Sequence, residues 1–313
     1  MTFTDMVGCE LPIQQAPMGG VSSAPQLPVA VAAAGGMGML SAVLQPAEQL
    51  AAVLDALPPA AIGVNFLVPF LQDREAVSVA ASRVPLVDFF GAAPDPELVG
   101  LAHREGALAA WQVGSVEEAR AAVSAGCDVV VAQGVEAGGH VRGTIGLLAL
   151  LDLVLAAVEV PVIAAGGLAT PRSVAAVLAA GAAAARVGTR FIATHEALEA
   201  GAHRLYVDAL LAAQGEDTVL TEAFSVGWPE APHRVLTACV EAAPAAYHDP
   251  VGEMTMGGQT FPVPRWAVMS PNASATGEIA AMALYAGQGV GAVTRVQPAA
   301  EVVAELLALS RSR

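Results

Sequence analysis

The sequence predicts an α/β protein: a (β/α)8 barrel of the TIM type, with a small second domain inserted near the C-terminus. Hydrophobic residues make up 55% of the 313 residues, enough to fill a large core. Over the first two thirds of the chain, short apolar runs alternate with amphipathic, alanine-rich segments, the pattern of parallel strands joined by helices. The length suits one such barrel with an insertion.

The apolar runs are interpreted as parallel strands because strands buried on both faces of a sheet are apolar throughout. The eight predicted strands are Ile13–Met18, Gly38–Val43, Ile62–Phe66, Leu86–Phe90, Ala107–Gln112, Asp128–Gln133, Pro161–Ala165 and Ala184–Val187. Sequence alone does not reveal whether such a sheet closes on itself. A doubly wound open sheet is therefore the alternative.

Helix signals lie between the predicted strands. Ser115 followed by Glu118 has the spacing of a capping box, which predicts a helix start. Thr170 and Pro171 supply an N-cap and a proline at the first helical position, and Gly181 ends that helix. These signals place helices in the crossovers that a barrel needs.

The composition and the hydrophobic pattern of the chain change after about residue 214. Residues 214–275 are rich in proline, glycine and scattered aromatics and lack a clear period, which predicts an insertion or a small second lobe. A helical pattern returns over Gly277–Leu309, with Gly287–Gly291 as the link between two helices. Residues 1–213 and 276–313 are accordingly predicted to form the barrel.

Charge and composition exclude several classes of protein. Acidic residues outnumber basic ones 29 to 14, which argues against a nucleic-acid or anionic-membrane partner. All 14 basic residues are arginine, so P-loop, Schiff-base and pyridoxal-phosphate lysines are excluded. The three cysteines are far apart, which favours a reducing compartment over a disulfide framework or a cysteine zinc site. No metal site is predicted.

The N-terminus does not have the features of an export signal. It carries an acidic residue and no basic segment. The uncharged stretch between Glu10 and Glu48 is interrupted by prolines and glycines into pieces too short to cross a bilayer. We therefore expect a soluble, cytoplasmic protein.

Barrel enzymes carry their functional groups at the C-terminal ends of the strands. Here these ends supply amides such as Asn65, Gln112 and Gln133, together with glycines and apolar side chains. Several His, Asp or Glu residues would be needed there for a metal-dependent hydrolase. Neutral amides instead favour a planar, hydrogen-bonding cofactor that performs the chemistry itself.

His140 is the candidate catalytic residue. It follows Gly138 and Gly139 in a loop after a predicted strand, where an imidazole can serve as a base or a hydrogen-bond donor. The alternative is a surface loop histidine. Glu136 in the same loop is better explained as a bracing or capping carboxylate than as a catalytic acid. The remaining histidines lack metal-ligand spacing: His103, at a helix end, is expected to be solvated, and the others to be structural or at the surface, namely His195, His203, His233 and His248.

A phosphate site is predicted after the last two barrel strands. Glycines Gly166, Gly167 and Gly188 stand in these loops, where backbone amides of (β/α)8 barrels bind phosphate. Such a site needs no lysine. Arg190 is equally well explained as a further phosphate contact or as a member of a surface ion pair.

Taken together, the motifs resemble the nitronate monooxygenase family, formerly called 2-nitropropane dioxygenase. The segments that carry the resemblance are Gln15–Met18, Ala34–Gly38, Gly63–Asn65, Gln133–His140, Ala165–Ala169 and Gly188–Phe191. The resemblance implies an FMN-dependent barrel with a small second domain. It extends in order from about residue 10 to 195 and more weakly through Tyr285–Ala299.

The resemblance also implies roles for individual residues. His140 aligns with the active-site histidine of the family, which takes a proton from a neutral nitroalkane or orients the nitronate. Residues implied to border the isoalloxazine are Ala16, Pro17, Met18, Asn65 and Gln133. Residues implied to hold the phosphate are Gly166, Gly167, Gly188 and Thr189. Two further residues implied to bind the cofactor are Gly139 and Ala165.

The implied reaction is oxidation of a propionate-3-nitronate-like anion by FMN, with O2 as second substrate, to an aldehyde and nitrite. Two alternatives stay open: an NAD(P)H-dependent FMN reductase acting on quinones or enoyl thioesters, and a non-catalytic flavin or small-ligand binding protein. The apolar composition, with a mean hydropathy of +0.58, favours a buried subunit contact and hence a homodimer.

Overall fold

Eight parallel strands form the centre of the computed structural model, which describes residues 1–309. The two end strands of the sheet meet between Gln14 and Met37. There the Gln15 N–H donates to the Met37 carbonyl at 2.9 Å, and the Met37 N–H donates to the Ile13 carbonyl at 2.8 Å. The sheet is therefore a barrel and not the alternative open sheet.

The described residues form the following elements. The strands are β1 Ile13–Gln15, β2 Gly38–Ser41, β3 Ile62–Leu67, β4 Leu86–Phe90, β5 Leu108–Val113, β6 Val129–Gln133, β7 Gly139–His140, β8 Val162–Ala165, β9 Ala184–Val187, β10 Thr218–Thr221, β11 His233–Leu236, β12 Gly252–Met256, β13 Gln259–Val263 and β14 Thr276–Gly277. The α-helices are α1 Phe3–Val7, α2 Gln26–Ala33, α3 Ala47–Asp55, α4 Glu75–Ala81, α5 Pro96–Arg104, α6 Val116–Ser124, α7 Leu147–Leu155, α8 Pro171–Ala179, α9 Thr189–Ile192, α10 His195–Glu199, α11 Arg204–Ala212, α12 Thr237–Ala245 and α13 Ala299–Leu306. Short 3₁₀ helices are Val68–Phe70, Gly215–Asp217, Ile279–Ala281 and Gln288–Ala292.

All eight predicted strands are confirmed as the barrel strands, in the spatial order β1-β9-β8-β6-β5-β4-β3-β2. β1 is shorter than predicted and ends at Gln15. Residues 16–18 therefore belong to the loop above the barrel, where they are free to contact a ligand. β7 is not part of the barrel.

The core has two layers of contacts. Between barrel and helices, large side chains such as Trp111 and Phe89 are fully buried. Inside the barrel a second apolar cluster includes Met37, Val131 and Ile163, and Phe3 of α1 packs with it. The barrel is thus a packed core and not a channel.

The helix predictions are mostly correct. Thr170 caps α8 through the Ser173 N–H, Pro171 opens the helix, and Gly181 follows it with φ +110°. Ser115 caps α6, but the predicted capping box is incomplete. The Glu118 carboxylate accepts from the Gly114 N–H at 2.7 Å and binds Arg142 instead of reaching back to Ser115.

The tail differs from the prediction. No α-helix precedes Gly287 in the segment that begins at Gly277, and residues 288–292 form a 3₁₀ helix. The reason is pairing with β11: the Leu236 N–H donates to the Leu284 carbonyl at 2.9 Å, which holds this segment extended. Helix α13 is the only predicted tail helix present among the described residues, and the last four residues of the predicted 276–313 segment lie outside them.

Residues 214–275 supply most of the strands of two small antiparallel sheets. β11 pairs with β10 on one side and with β7 on the other, and β12 pairs with both β13 and β14. The boundaries of a separate domain stay a prediction. The three cysteines are free thiols, and none of the helices among residues 1–309 is long and apolar enough to cross a membrane.

Candidate functional site

One large cavity of about 1180 Å³ opens at the C-terminal ends of the barrel strands. Ligand pockets usually enclose roughly 300–1,000 Å³, so this cavity has room for a cofactor and a substrate together. Every residue that the sequence placed in the site lies on its wall: Ala16, Pro17, Met18, Asn65, Gln133, Gly139, His140, Ala165, Gly166, Gly167, Gly188 and Thr189. The fold therefore brings together loops that are far apart in the chain.

One end of the cavity is lined by backbone amides. Gly166 and Gly167 have φ of +120° and +65°, which turns the chain sharply after β8. The N–H groups of Gly167, Gly188 and Thr189 have no protein acceptor among the described residues. The Thr189 hydroxyl accepts from the Gly287 N–H at 3.0 Å and keeps its own proton to donate. Converging unpaired donors of this kind bind anions such as phosphate.

Arg190 does not reach this cavity. Its Nη2 donates to Gln297 Oε1 at 2.9 Å and to Glu305 Oε2 at 2.8 Å, and it lines a smaller cavity of about 200 Å³. The expected ion pair is present, but it is not a surface pair, because Arg190 is only 5% exposed. The phosphate-contact alternative is wrong for this residue.

The side-chain amides lie on the floor of the cavity. Asn65 Nδ2 donates to Asp88 Oδ2 at 2.8 Å. Gln133 Nε2 donates to the His140 carbonyl at 2.8 Å, and its Oε1 accepts from the Arg142 N–H at 3.3 Å. Gln133 thus holds the loop that carries His140, and its contact with an isoalloxazine ring stays a prediction.

The loop from Gly134 to Arg142 is fixed on several sides. Its strand β7 pairs with β11, with His140 opposite His233. Arg142 binds Glu118 of α6 through Nε at 3.0 Å. Glu136 accepts from the Leu147 N–H at the start of α7 at 2.9 Å, so this carboxylate braces the loop, in line with the bracing interpretation.

The imidazole of His140 lies among aromatic rings. The ring of Trp228 stacks on it at a centroid distance of 4.0 Å and an angle of 23°, and the rings of His233 and Tyr285 lie at 5.3 and 5.6 Å. Its Nε2 is buried and has no hydrogen-bond partner. Burial, with His233 as the second cause, lowers the pKa of His140 to about 3. The imidazole is therefore neutral at physiological pH, and its Nε2 has no protein partner.

His233 has a structural role beside the site. Its Nδ1 lies 2.9 Å from the Ala231 carbonyl, and its Nε2 accepts from the Phe224 N–H at 3.2 Å. This pair of contacts requires the neutral tautomer with the proton on Nδ1. Burial also lowers the pKa of His233. A structural histidine was one of the two expectations for this position.

The pKa of His140 makes the stability of the fold depend on pH. Between pH 6.5 and about 3 the unfolded chain binds a proton that the folded chain does not, so the free energy of unfolding decreases as the pH falls. The loss reaches up to about 1.4 kcal/mol per pH unit. On going from about pH 7 to 5, the wild type should lose about 2 kcal/mol more than a His140→Gln variant in urea denaturation. Equal losses in the two proteins would contradict the low pKa.

Three residues of the site were not identified as such from the sequence. Trp228 and Tyr285 come from segments without a recognisable pattern, and no local signal marks their contact with His140. Arg186 also lines the cavity. The sequence does carry a signal for Arg186, because it is a charged residue inside a strand that is otherwise apolar and buried.

No group of three His, Cys, Asp or Glu side chains placed to hold a metal ion occurs among residues 1–309. A (β/α)8 barrel with glycine amides at one end of its cavity, side-chain amides on the floor and a neutral histidine above is the architecture of a cofactor-dependent barrel enzyme.

Comparison with known proteins agrees with this class. Residues 49–308 match the family model of nitronate monooxygenase. The chain belongs to the nitronate monooxygenase family. The resemblance inferred from the motifs is thereby confirmed, and members of this family are generally flavin-dependent.

Two kinds of curated relative are similar to the chain. A nitronate monooxygenase of Paraburkholderia phytofirmans is 31% identical over 356 residues, covering 96% of this chain and 92% of that protein. An octahydro-indene carboxyl-CoA dehydrogenase of Mycobacterium tuberculosis is 34% identical over 75% of this chain. The chain covers 65% of the length of that dehydrogenase and 55% of its counterpart in Rhodococcus jostii.

Solved structures confirm the barrel. FabK from Thermotoga maritima superposes with a TM-score of 0.79 at 26% identity, covering 100% of this chain and 96% of that one. A nitroalkane oxidase from Streptomyces ansochromogenes superposes with a TM-score of 0.77 at 33% identity, covering 99% of this chain and 98% of that one.

Proposed function

We propose that the protein binds FMN and oxidises alkyl nitronates, such as propionate-3-nitronate, with O2 as second substrate. The observation that carries this proposal is the neutral imidazole of His140, which lines the same cavity as the amide cradle and whose Nε2 has no protein partner. FMN held there would supply the electron acceptor: the nitronate and water would give the aldehyde, nitrite and two protons, and the two electrons would pass to O2 to give H2O2.

The cavity supports FMN as the flavin. The unpaired amides of Gly167, Gly188 and Thr189 suit a phosphate, and the floor offers Asn65 and Gln112 amides to a planar polar ring. A Cβ at Gly166 would lie 3.0 Å from the Gly134 carbonyl oxygen, so a side chain is not accommodated in this turn. These features together fit a flavin mononucleotide.

The protonation state of His140 supports a nitronate over a neutral nitroalkane as substrate. A group with a pKa of about 3 is a weak base and is poorly suited to remove a proton from carbon at neutral pH. A nitronate has already lost that proton. His140 would then orient the anion through a hydrogen bond, and Trp228 would hold the imidazole plane.

A reductase acting on enoyl thioesters or quinones is the second candidate. The cavity extends toward apolar side chains of residues 214–275, among them Val226, Met254 and Phe261, which leaves room for a larger apolar substrate. Reduction of the bound flavin without O2 separates the two candidates: nitronate alone should reduce it, whereas a reductase needs NADH or NADPH. The homodimer and the cytoplasmic location stay predictions.

A further inference from the structure

A buried ion pair lies inside the barrel next to the cavity floor. Arg186 Nη1 donates to Asp88 Oδ2 at 3.0 Å, and the two side chains are 2% and 0% exposed. Arg186 also donates to Gln112 Oε1 at 2.9 Å and, through Nε, to Gln14 Oε1 at 2.6 Å. Asn65 Nδ2 donates to the same carboxylate oxygen at 2.8 Å. Side chains from three other strands, β1, β4 and β5, therefore fix the guanidinium, and Asn65 of β3 fixes the carboxylate.

The pair is asymmetric with respect to the cavity. Arg186 lines the cavity, and Asp88 does not. Among the described residues of the cavity wall, Arg186 is the only one with a formal charge at neutral pH. The guanidinium is therefore the charged group that faces the cavity, while the Asp88 carboxylate beside it offsets part of its field, and in a buried site a charge acts more strongly than it would in water.

Both partners keep hydrogen-bonding capacity that the protein does not use. Arg186 Nη2 and Asp88 Oδ1 are buried without a partner. Buried polar groups are nearly always satisfied when their role is only structural, because an unpaired group costs free energy. The orphaned atoms point to a functional role for the pair.

We propose that Arg186, oriented by Asp88, stabilises the negative charge that the flavin ring acquires on reduction. This inference rests on the proposed binding of FMN. Uptake of two electrons and one proton leaves the ring with one negative charge at neutral pH. The electrons come from the nitronate and leave to O2. A fixed cation nearby stabilises the anionic form over the neutral oxidised form and so raises the midpoint potential of the bound flavin.

Two substitutions with opposite expected effects on the midpoint potential of the flavin test this role. The midpoint potential of the purified flavoprotein is measured against a redox dye during slow reduction without O2. Arg186→Gln should lower the ratio of reduced to oxidised flavin at a fixed potential at least tenfold. For a two-electron couple this corresponds to a midpoint potential that is lower by about 30 mV. Asp88→Asn, nearly isosteric, should raise that ratio. Arg186→Lys keeps the charge and should stay near wild type.

A merely structural pair would give a different result: both charge-removing variants would lose stability and flavin affinity without opposite shifts in potential. Should the Arg186→Gln protein fail to fold, the sign of the shift in Asp88→Asn alone decides. If the purified wild-type protein binds no FMN, both the proposed function and the role of Arg186 are overturned. If the wild-type protein binds FMN but the variants have unchanged midpoint potentials, only the role of Arg186 is overturned. A higher KM for nitronate with an unchanged potential in Arg186→Gln would also overturn it.

Discussion

Replacing His140 by alanine is expected to lower kcat/KM for an alkyl nitronate by about 100-fold or more, the effect of removing one preorganised hydrogen-bonding group from an active site. The backbone of His140 is held by Gln133 and by the pairing of β7 with β11, and the imidazole Nε2 has no protein partner. Because the ring contacts of the imidazole are with Trp228, His233 and Tyr285 and not with the amide cradle, the flavin content should not change.

The measurement is nitronate-dependent O2 consumption at constant flavin. His195→Ala, an exposed histidine outside the cavity, is the matched control and should behave as wild type. Unchanged turnover in the His140→Ala protein would show that His140 is not the group that orients the substrate.

Gly166→Ala is expected to weaken FMN binding by about 10- to 100-fold. At φ +120° an L-residue is strained, and its Cβ would lie 3.0 Å from the Gly134 carbonyl oxygen. Such strain costs about 1–3 kcal/mol, and each 1.4 kcal/mol changes a dissociation constant tenfold. The loop would relieve the strain by moving, which displaces the adjacent Gly167 amide.

Fluorescence titration of the apoprotein with FMN measures this effect. Gly181→Ala is the matched control: its φ is +110°, its Cβ would meet Leu155 at 3.2 Å, and it lies outside the cavity. Both variants should lose stability, but only Gly166→Ala should lose flavin affinity. Equal FMN dissociation constants in the two variants would contradict a phosphate site at this turn.

Local features of the chain predicted the barrel. Strands such as Val162–Ala165 are apolar on both faces, and Thr170–Pro171 marks a helix start, so these elements were identified without tertiary information. The tail was predicted wrongly because its apolar residues suit a helix, whereas residue 284 pairs with residue 236 of β11 in the fold. Tertiary pairing overrides local propensity in such a segment.

The cavity residues at strand ends were predictable for the same reason: the C-terminal ends of all barrel strands meet at one face. The partners that these side chains contact were not predictable from the sequence. Asp88 and Arg186 are 98 residues apart, and Trp228 reaches His140 from a segment without a period. Only the closure of the barrel and the packing of residues 214–275 on it bring these groups together.

Reduction of the bound flavin in the absence of O2 tests the central claim most directly. The purified protein, with its flavin oxidised, is mixed anaerobically with excess propionate-3-nitronate in one cuvette and with NADH or NADPH in another. The account predicts rapid loss of the flavin absorbance with the nitronate and little change with either nicotinamide. Rapid reduction by NADH or NADPH, with none by the nitronate, would contradict it and assign the protein to the reductases.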